Sequence, residues 1–198
     1  MITEFCCCGN FHDFRKCESF IKRKRLCSTN SYLSGDLLDV DKAGFCAAGV
    51  LFITPDDKIC VIIDKKKKGI PSGKREAVIK KQFIFLESFR DTAIRETREE
   101  LVTRKDVLDQ LEKKIRESKC CYWLGKYYYV MIVVEVEEPF ELENGEWVSI
   151  ESVNSDDFHS HVYKSIKGFR KKLAELVHQE TEEELSQILE EETCETLD

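Results

Sequence analysis

The chain has 198 residues, 42% hydrophobic and 35% charged, with a formal net charge of −7. That size suits one domain with an appendage, and the apolar content excludes wholesale disorder. The acidic balance excludes a surface basic all over, but leaves room for a local phosphate-binding patch.

No apolar run approaches the roughly 20 residues that span a bilayer. The opening Met1-Ile2-Thr3-Glu4 lacks the basic and apolar regions of a signal peptide. The expectation is a cytoplasmic protein whose 10 cysteines are reduced thiols rather than a disulfide framework. Composition divides it into a Cys-rich extension (1–40), a folded domain (41–178) and an acidic helical tail (179–198).

In the extension, Cys8, His12, Cys17 and Cys27 could supply four zinc ligands, but no CxxC knuckle supports a metal module. Loose thiols are the simpler reading, and Cys6-Cys7-Cys8 is also a conceivable acylation site. Phe14 to Leu26 is expected to form a short helix with a basic cluster at Lys22 to Arg25, and Ser28 to Gly35 a loop.

Phe45 to Ile53 (FCAAGVLFI) is almost continuously apolar, as a strand buried on both faces should be. Pro55-Asp56-Asp57 is a turn, and the alternating Lys58 to Asp64 is its hairpin partner. Eight basic residues then crowd into 65–81, with Glu76 as the lone acid. Such a run is either a solvated loop or a contact for polyphosphate or RNA backbone.

The stretch Glu87 to Leu101 (ESFRDTAIRETREEL) follows. Helical spacing puts Glu96 and Glu100 on one face, with Glu99 beside them. Like charges at that spacing cost an isolated helix roughly 0.2–0.5 kcal/mol per pair, so the carboxylates lie in open water or gather around a cation. Residues 88–103 are predicted to be this helix, packed through Ala93, Ile94, Thr97 and Leu101, with a second short helix over Asp106 to Ser118.

Cys120 to Glu135 reads as one or two strands, in which Trp123 and Tyr127 to Tyr129 serve either sheet packing or base stacking. A turn at Asn144-Gly145 leads into a strand with Trp147. From Asp157 the chain is helical, with an apolar stripe at Ile166, Phe169, Leu173, Leu176 and Val177.

The central stretch resembles the box of the Nudix hydrolase family: Gly, five residues, Glu, seven residues, then Arg-Glu-U-x-Glu-Glu-x-Gly-U, where U is bulky and apolar. Here Glu87 is followed by seven residues and then by Arg95-Glu96-Thr97-Arg98-Glu99-Glu100. Two departures stand out. The run Ala77 to Leu86 carries an insertion of about eight residues between Gly73 and Glu87, and Val102-Thr103 replaces the closing Gly and apolar residue.

The resemblance covers about Ala43 to Val177 and implies an α/β fold, a Nudix-type α/β/α sandwich with a mixed sheet and a catalytic loop–helix–loop. It implies cleavage of a diphosphate linkage in a nucleoside diphosphate joined to another group. Glu96, Glu99 and Glu100 would be catalytic and would hold Mg²⁺ or Mn²⁺, hard cations that prefer oxygen ligands. Arg95 would pair with Glu87 or Glu99 in a structural role. Gly73, Lys74 and Arg75 would meet substrate phosphate, and the general base would be a box glutamate or an acid on a later loop, Glu143 or Glu146. Pro71-Ser72-Gly73-Lys74 is similar to the turn before the box in mRNA-decapping members, including those of large DNA viruses. The implied partner is therefore a nucleoside diphosphate-linked small molecule or capped RNA. A Nudix-fold binding module without catalysis is the other alternative.

Overall fold

A computed structural model describes residues 31–34, 45–64, 67–80, 83–124, 128–171 and 174. The acylation and zinc readings, the helix over Phe14 to Leu26, the acidic helical tail (179–198), and Leu173, Leu176 and Val177 lie outside these residues.

The sheet is built around β2 (Ala47–Ile53), whose residues are apolar on both faces because both are covered. Asp57, at φ 58°, turns the chain into β3 (Lys58–Asp64), and Thr54 steadies that turn by donating to Asp56 and accepting from the Lys58 amide. β4 (Lys67–Gly69) folds back on β3, and β5 (Ser72–Lys74) returns to β2, with Ala47 opposite Lys74 and Gly49 opposite Ser72. One edge of β2 is thus divided between β3 at its end and β5 at its start. On the other edge β9 (Tyr129–Glu135) runs parallel to it, and β8 (Cys120–Leu124) pairs antiparallel with β9. β10 (Gly145–Ser149) borders β3.

Ser31–Ser34, expected within a loop, is instead β1, an edge strand antiparallel to β8. Four residues carry too little alternation to show a strand locally; the open edge of β8 selects it.

The insertion between β5 and the first helix is a hairpin of β6 (Ala77–Lys80) and β7 (Phe83–Leu86). Its antiparallel pairing brings the chain back to where it left: Ala77 faces Leu86, and the Glu87 amide donates to the Glu76 carbonyl at 3.0 Å. The extra residues therefore form a separate two-stranded sheet without separating the segments on either side.

Helix α1 (Phe89–Glu100) starts at Ser88, whose hydroxyl accepts from the Asp91 amide, and α2 (Lys105–Glu117) follows. Both cover one face of the sheet, where Phe45, Val50, Phe52, Cys60 and Ile132 meet Phe89, Ala93, Leu111 and Ile115. A third helix, α3 (160–171), covers the other face, where Leu51, Val61, Tyr122 and Met131 meet Val162, Ile166 and Phe169. Successive strand residues alternate between these layers, as a period of two requires. The outcome is the expected α/β fold with a mixed sheet between helices. Among the described residues, no helix is long and apolar enough to cross a membrane.

Of the aromatics read as packing or base-stacking residues, Trp123 and Tyr128 meet edge to face, both they and Tyr129 are buried, and Tyr127 lies outside the described residues. Trp147 stands edge-on to Phe140 and donates its indole N–H to the Phe140 carbonyl.

Candidate active site

The site forms where α1 lies against β5. Glu96 sits on the inward face of α1 with Phe89, Ala93 and Thr97, and is only 8% exposed. A carboxylate there is costly unless something compensates its charge.

Arg95 is the centre of the cluster. Its Nε donates to Glu87 Oε1 at 2.9 Å, one terminal nitrogen reaches the Lys74 carbonyl at 2.7 Å, and the other is shared by Glu96 and Glu99. One guanidinium thus links the loop before α1, the helix and β5, using the planar donor fork that lysine lacks. The alternatives read for Arg95, Glu87 or Glu99, are therefore not exclusive. Glu87 also accepts from the Glu76 amide and the Thr92 hydroxyl. Burial alone would raise the Glu87 pKa, but these hydrogen bonds hold it below the ordinary carboxylate value. For Glu96 the balance is reversed: burial, aided by Glu99 and Glu76, raises its pKa despite Arg95.

Gly73 is the backbone floor beneath Glu96. A Cβ there would lie 2.0 Å from Glu96 Oε1 and 2.4 Å from Oε2, so only glycine lets the carboxylate approach β5 this closely. The next amide back, from Ser72, donates to Glu100 Oε2 at 2.8 Å. Lys74 gives its carbonyl to Arg95 while its side chain stays exposed. The Arg75 Nε donates to the Glu87 carbonyl at 2.7 Å, and its guanidinium lies 4.4 Å above the Phe45 ring. Of the three residues read as phosphate contacts, Gly73 thus stands against a carboxylate and Arg75 holds the Glu87 backbone.

The end of α1 has no glycine. Leu101 caps it in an extended conformation, and Asn144, from the loop before β10, provides the stop. Its side chain donates to the Glu100 carbonyl at 2.6 Å and accepts from the Val102 amide at 3.0 Å. A carbonyl left over at the helix end and the first amide beyond the cap are thereby satisfied across the fold. The Glu143 amide donates to the Val102 carbonyl, while Glu146 is engaged with Lys68 at 2.7 Å.

Three residues here escaped the sequence reading. Glu76 passed as the lone acid of a basic run, yet its carboxylate lies 3.9 Å from Arg95. Ser72 acts through its amide, which no side-chain pattern reveals. Asn144 passed as a turn residue; the missing glycine after Glu100 was the signal that some other group must end the helix.

Among the described residues, no three His, Cys, Asp or Glu side chains converge as a metal site. Glu96 and Glu99 point at Arg95, and Glu100 at Ser72. The donor chemistry nonetheless fits Mg²⁺ or Mn²⁺: all three ligands are hard carboxylate oxygens, and the buried Glu96 carries charge that Arg95 leaves undercompensated.

What fold and site define together is an α/β protein with a mixed sheet and a guanidinium-centred carboxylate cluster on one helix. No protein-family model matches the sequence, and no curated protein matches it. The structure is similar to a Nudix hydrolase from M. smegmatis, RenU, at 12% identity over 73% of this chain and 96% of that one, with TM-score 0.39. An Ap4A hydrolase from C. elegans, in a binary complex, matches at 15% identity over 65% and 98%, with TM-score 0.38. A NUDIX-family hydrolase from Clostridium perfringens matches at 15% identity over 62% and 93%, with TM-score 0.30.

Proposed function

We propose that this chain is a Mg²⁺- or Mn²⁺-dependent hydrolase that cleaves a diphosphate linkage in a nucleoside diphosphate joined to another group. The observation that carries the reading is the buried Glu96 carboxylate, held between Arg95 and the bare backbone of Gly73 with Glu99 on the same guanidinium nitrogen. Such an arrangement keeps acidic oxygens together at a cost in stability, which a binding site for a divalent cation explains.

Glu96, Glu99 and Glu100 would hold the cation, which when bound would neutralise the diphosphate and acidify its attacking water. Arg95 and Glu87 fix the helix against β5, so Glu96 is set before substrate arrives. Ser72 and Asn144 fix Glu100, one through its carboxylate and the other through its carbonyl. A box glutamate, Glu143 or Glu146 would take the proton from water.

A decapping enzyme releasing m7GDP from capped RNA is the narrower reading. It is favoured by the Pro71 to Lys74 segment, of which Ser72–Lys74 is strand β5 rather than the expected turn and stands against the carboxylates, and by the exposed Lys67 and Lys74.

The test is a product assay on capped RNA, dinucleoside polyphosphates, ADP-ribose and nucleoside triphosphates, with Mg²⁺, Mn²⁺ or EDTA. Turnover is expected only with metal, and Glu100→Gln should remove most of it. An unchanged rate in that variant would remove Glu100 as a ligand, and m7GDP from capped RNA alone would assign decapping. Nucleotide binding without turnover of any substrate would instead identify a binding module.

A further inference from the structure

A cavity of about 380 Å³ lies on the α3 side of the sheet, lined by Ala47, Ser72, Gly73, Lys74, Tyr129, Ser160 and His161. It adjoins the carboxylate cluster through one strand of backbone. Gly73 lines it and also supports Glu96, while Ser72 lines it and also donates to Glu100. Cavity and carboxylates thus stand on the two sides of the same short strand, with Lys74 of that strand lining the cavity.

The cavity's volume falls at the small end of the roughly 300–1,000 Å³ usual for ligand pockets, which suits one ring system with a short extension. Its walls are chemically uneven. The small side chain of Ala47 leaves the space open, and the His161 imidazole stands edge-on to the Tyr129 ring, centroids 5.5 Å apart. His159 stacks on His161 at 6.1 Å. The Ser72 and Ser160 hydroxyls can each donate and accept.

The Tyr129 hydroxyl is buried beside Ser72 at a geometry short of a hydrogen bond, and it has no other partner. Burial pushes its pKa up, as do Glu100 and Glu96, with Ser72 offsetting part of the rise. Burial and then His159 lower the pKa of His161. The deeper walls are thus neutral at pH 7, and Lys74 is the cationic group at the exposed edge. An interior of this kind suits an uncharged planar ring with hydrogen-bonding edges, and it suits a phosphate only at the rim.

We infer that this cavity holds the nucleobase of the substrate, with His161 and the Ser72 and Ser160 hydroxyls reading its edge and Lys74 at the phosphate side. The assignment rests on the proposed diphosphate chemistry for its orientation: base under α3, diphosphate at the Lys74 rim. It adds the recognition element that the carboxylate cluster lacks.

The experiment measures binding of AMP and GMP by calorimetry in EDTA, with ribose 5-phosphate as the control without a base. Ala47→Phe fills the cavity, and His161→Ala removes its polar ring. Wild-type protein should bind at least one mononucleotide about tenfold or more tighter than ribose 5-phosphate. Ala47→Phe should abolish that advantage, and His161→Ala should change the AMP-to-GMP preference. In turnover both should raise KM with little change in kcat, as loss of uniform binding does.

Mononucleotides binding no better than ribose 5-phosphate would overturn the assignment, as would unchanged binding and preference in both folded variants. If Ala47→Phe fails to fold, His161→Ala alone decides. The two proposals fail separately. Base-dependent binding without hydrolysis refutes only the catalytic reading, and metal-dependent hydrolysis without base-dependent binding refutes only the cavity's role.

Discussion

Gly73→Ala isolates the role of the site's geometry. Gly73 lies in extended β5 rather than in the left-handed region, so alanine brings no backbone strain there. The three atoms nearest to the added methyl all belong to the Glu96 carboxylate. To move from 2.0 Å to the 3.4 Å where ordinary contact begins, the Glu96 carboxylate must retreat by about 1.4 Å. It is the far end of a flexible side chain, so the fold can accommodate that shift by swinging it away. The loss of its bond to Arg95 is offset by release from a buried position that already disfavours its charge. The stability change should stay within about 1 kcal/mol, a few degrees in Tm for a chain of this size.

Function should respond very differently. A misplacement of about 1 Å in a positioned group can cost on the order of 100-fold in rate. Gly73→Ala should therefore lower kcat on the best substrate by about that factor while far-UV circular dichroism and Tm remain near wild type. A folded variant retaining wild-type kcat would refute the idea that Glu96 must stand against β5.

Asn144→Ala removes both hydrogen bonds that end α1 and should destabilise the protein by about 1–3 kcal/mol, read by urea titration, and lower the rate through Glu100. Unchanged stability would mean that water replaces the amide without cost. Glu96→Gln should raise the Tm of the metal-free protein at neutral pH while abolishing turnover. The folded pKa of Glu96 lies above its ordinary 4.5 because of burial, so the contribution to stability is fullest below that value and is lost as pH rises through the folded one. A lower Tm in this variant would show that the Arg95 contact outweighs burial. Gly49→Ala places a Cβ 2.2 Å from the Tyr129 hydroxyl and 2.7 Å from the Pro71 carbonyl, and overpacking there should cost about 1–3 kcal/mol in thermal unfolding. A neutral result would show that β2 and β5 can separate freely.

Local sequence was enough for the central strand, the turn at Asp57, both helices of the α1–α2 layer and the acidic face of α1. Each depends on local periodicity or on a turn residue whose preference acts within a few positions. It also placed Arg95, Glu96, Glu99 and Glu100 on one helix, since helical spacing is set by the chain alone. Edge strand β1 needed a partner, because four residues become a strand only when β8 offers its open groups.

Tertiary structure alone decided what the acidic residues touch. Glu76 joins the cluster because a ten-residue excursion closes as a hairpin and returns beside it. Ser72 and Gly73 matter through backbone atoms, whose use depends on β5 pairing with β2 rather than on side-chain identity. Asn144 ends a helix 44 residues away in sequence, a contact that exists only once β10 has joined the sheet. Hydrogen bonds and close approach act over a few ångströms in space, so the carboxylates were legible as residues, and their arrangement appeared only when the chain had folded.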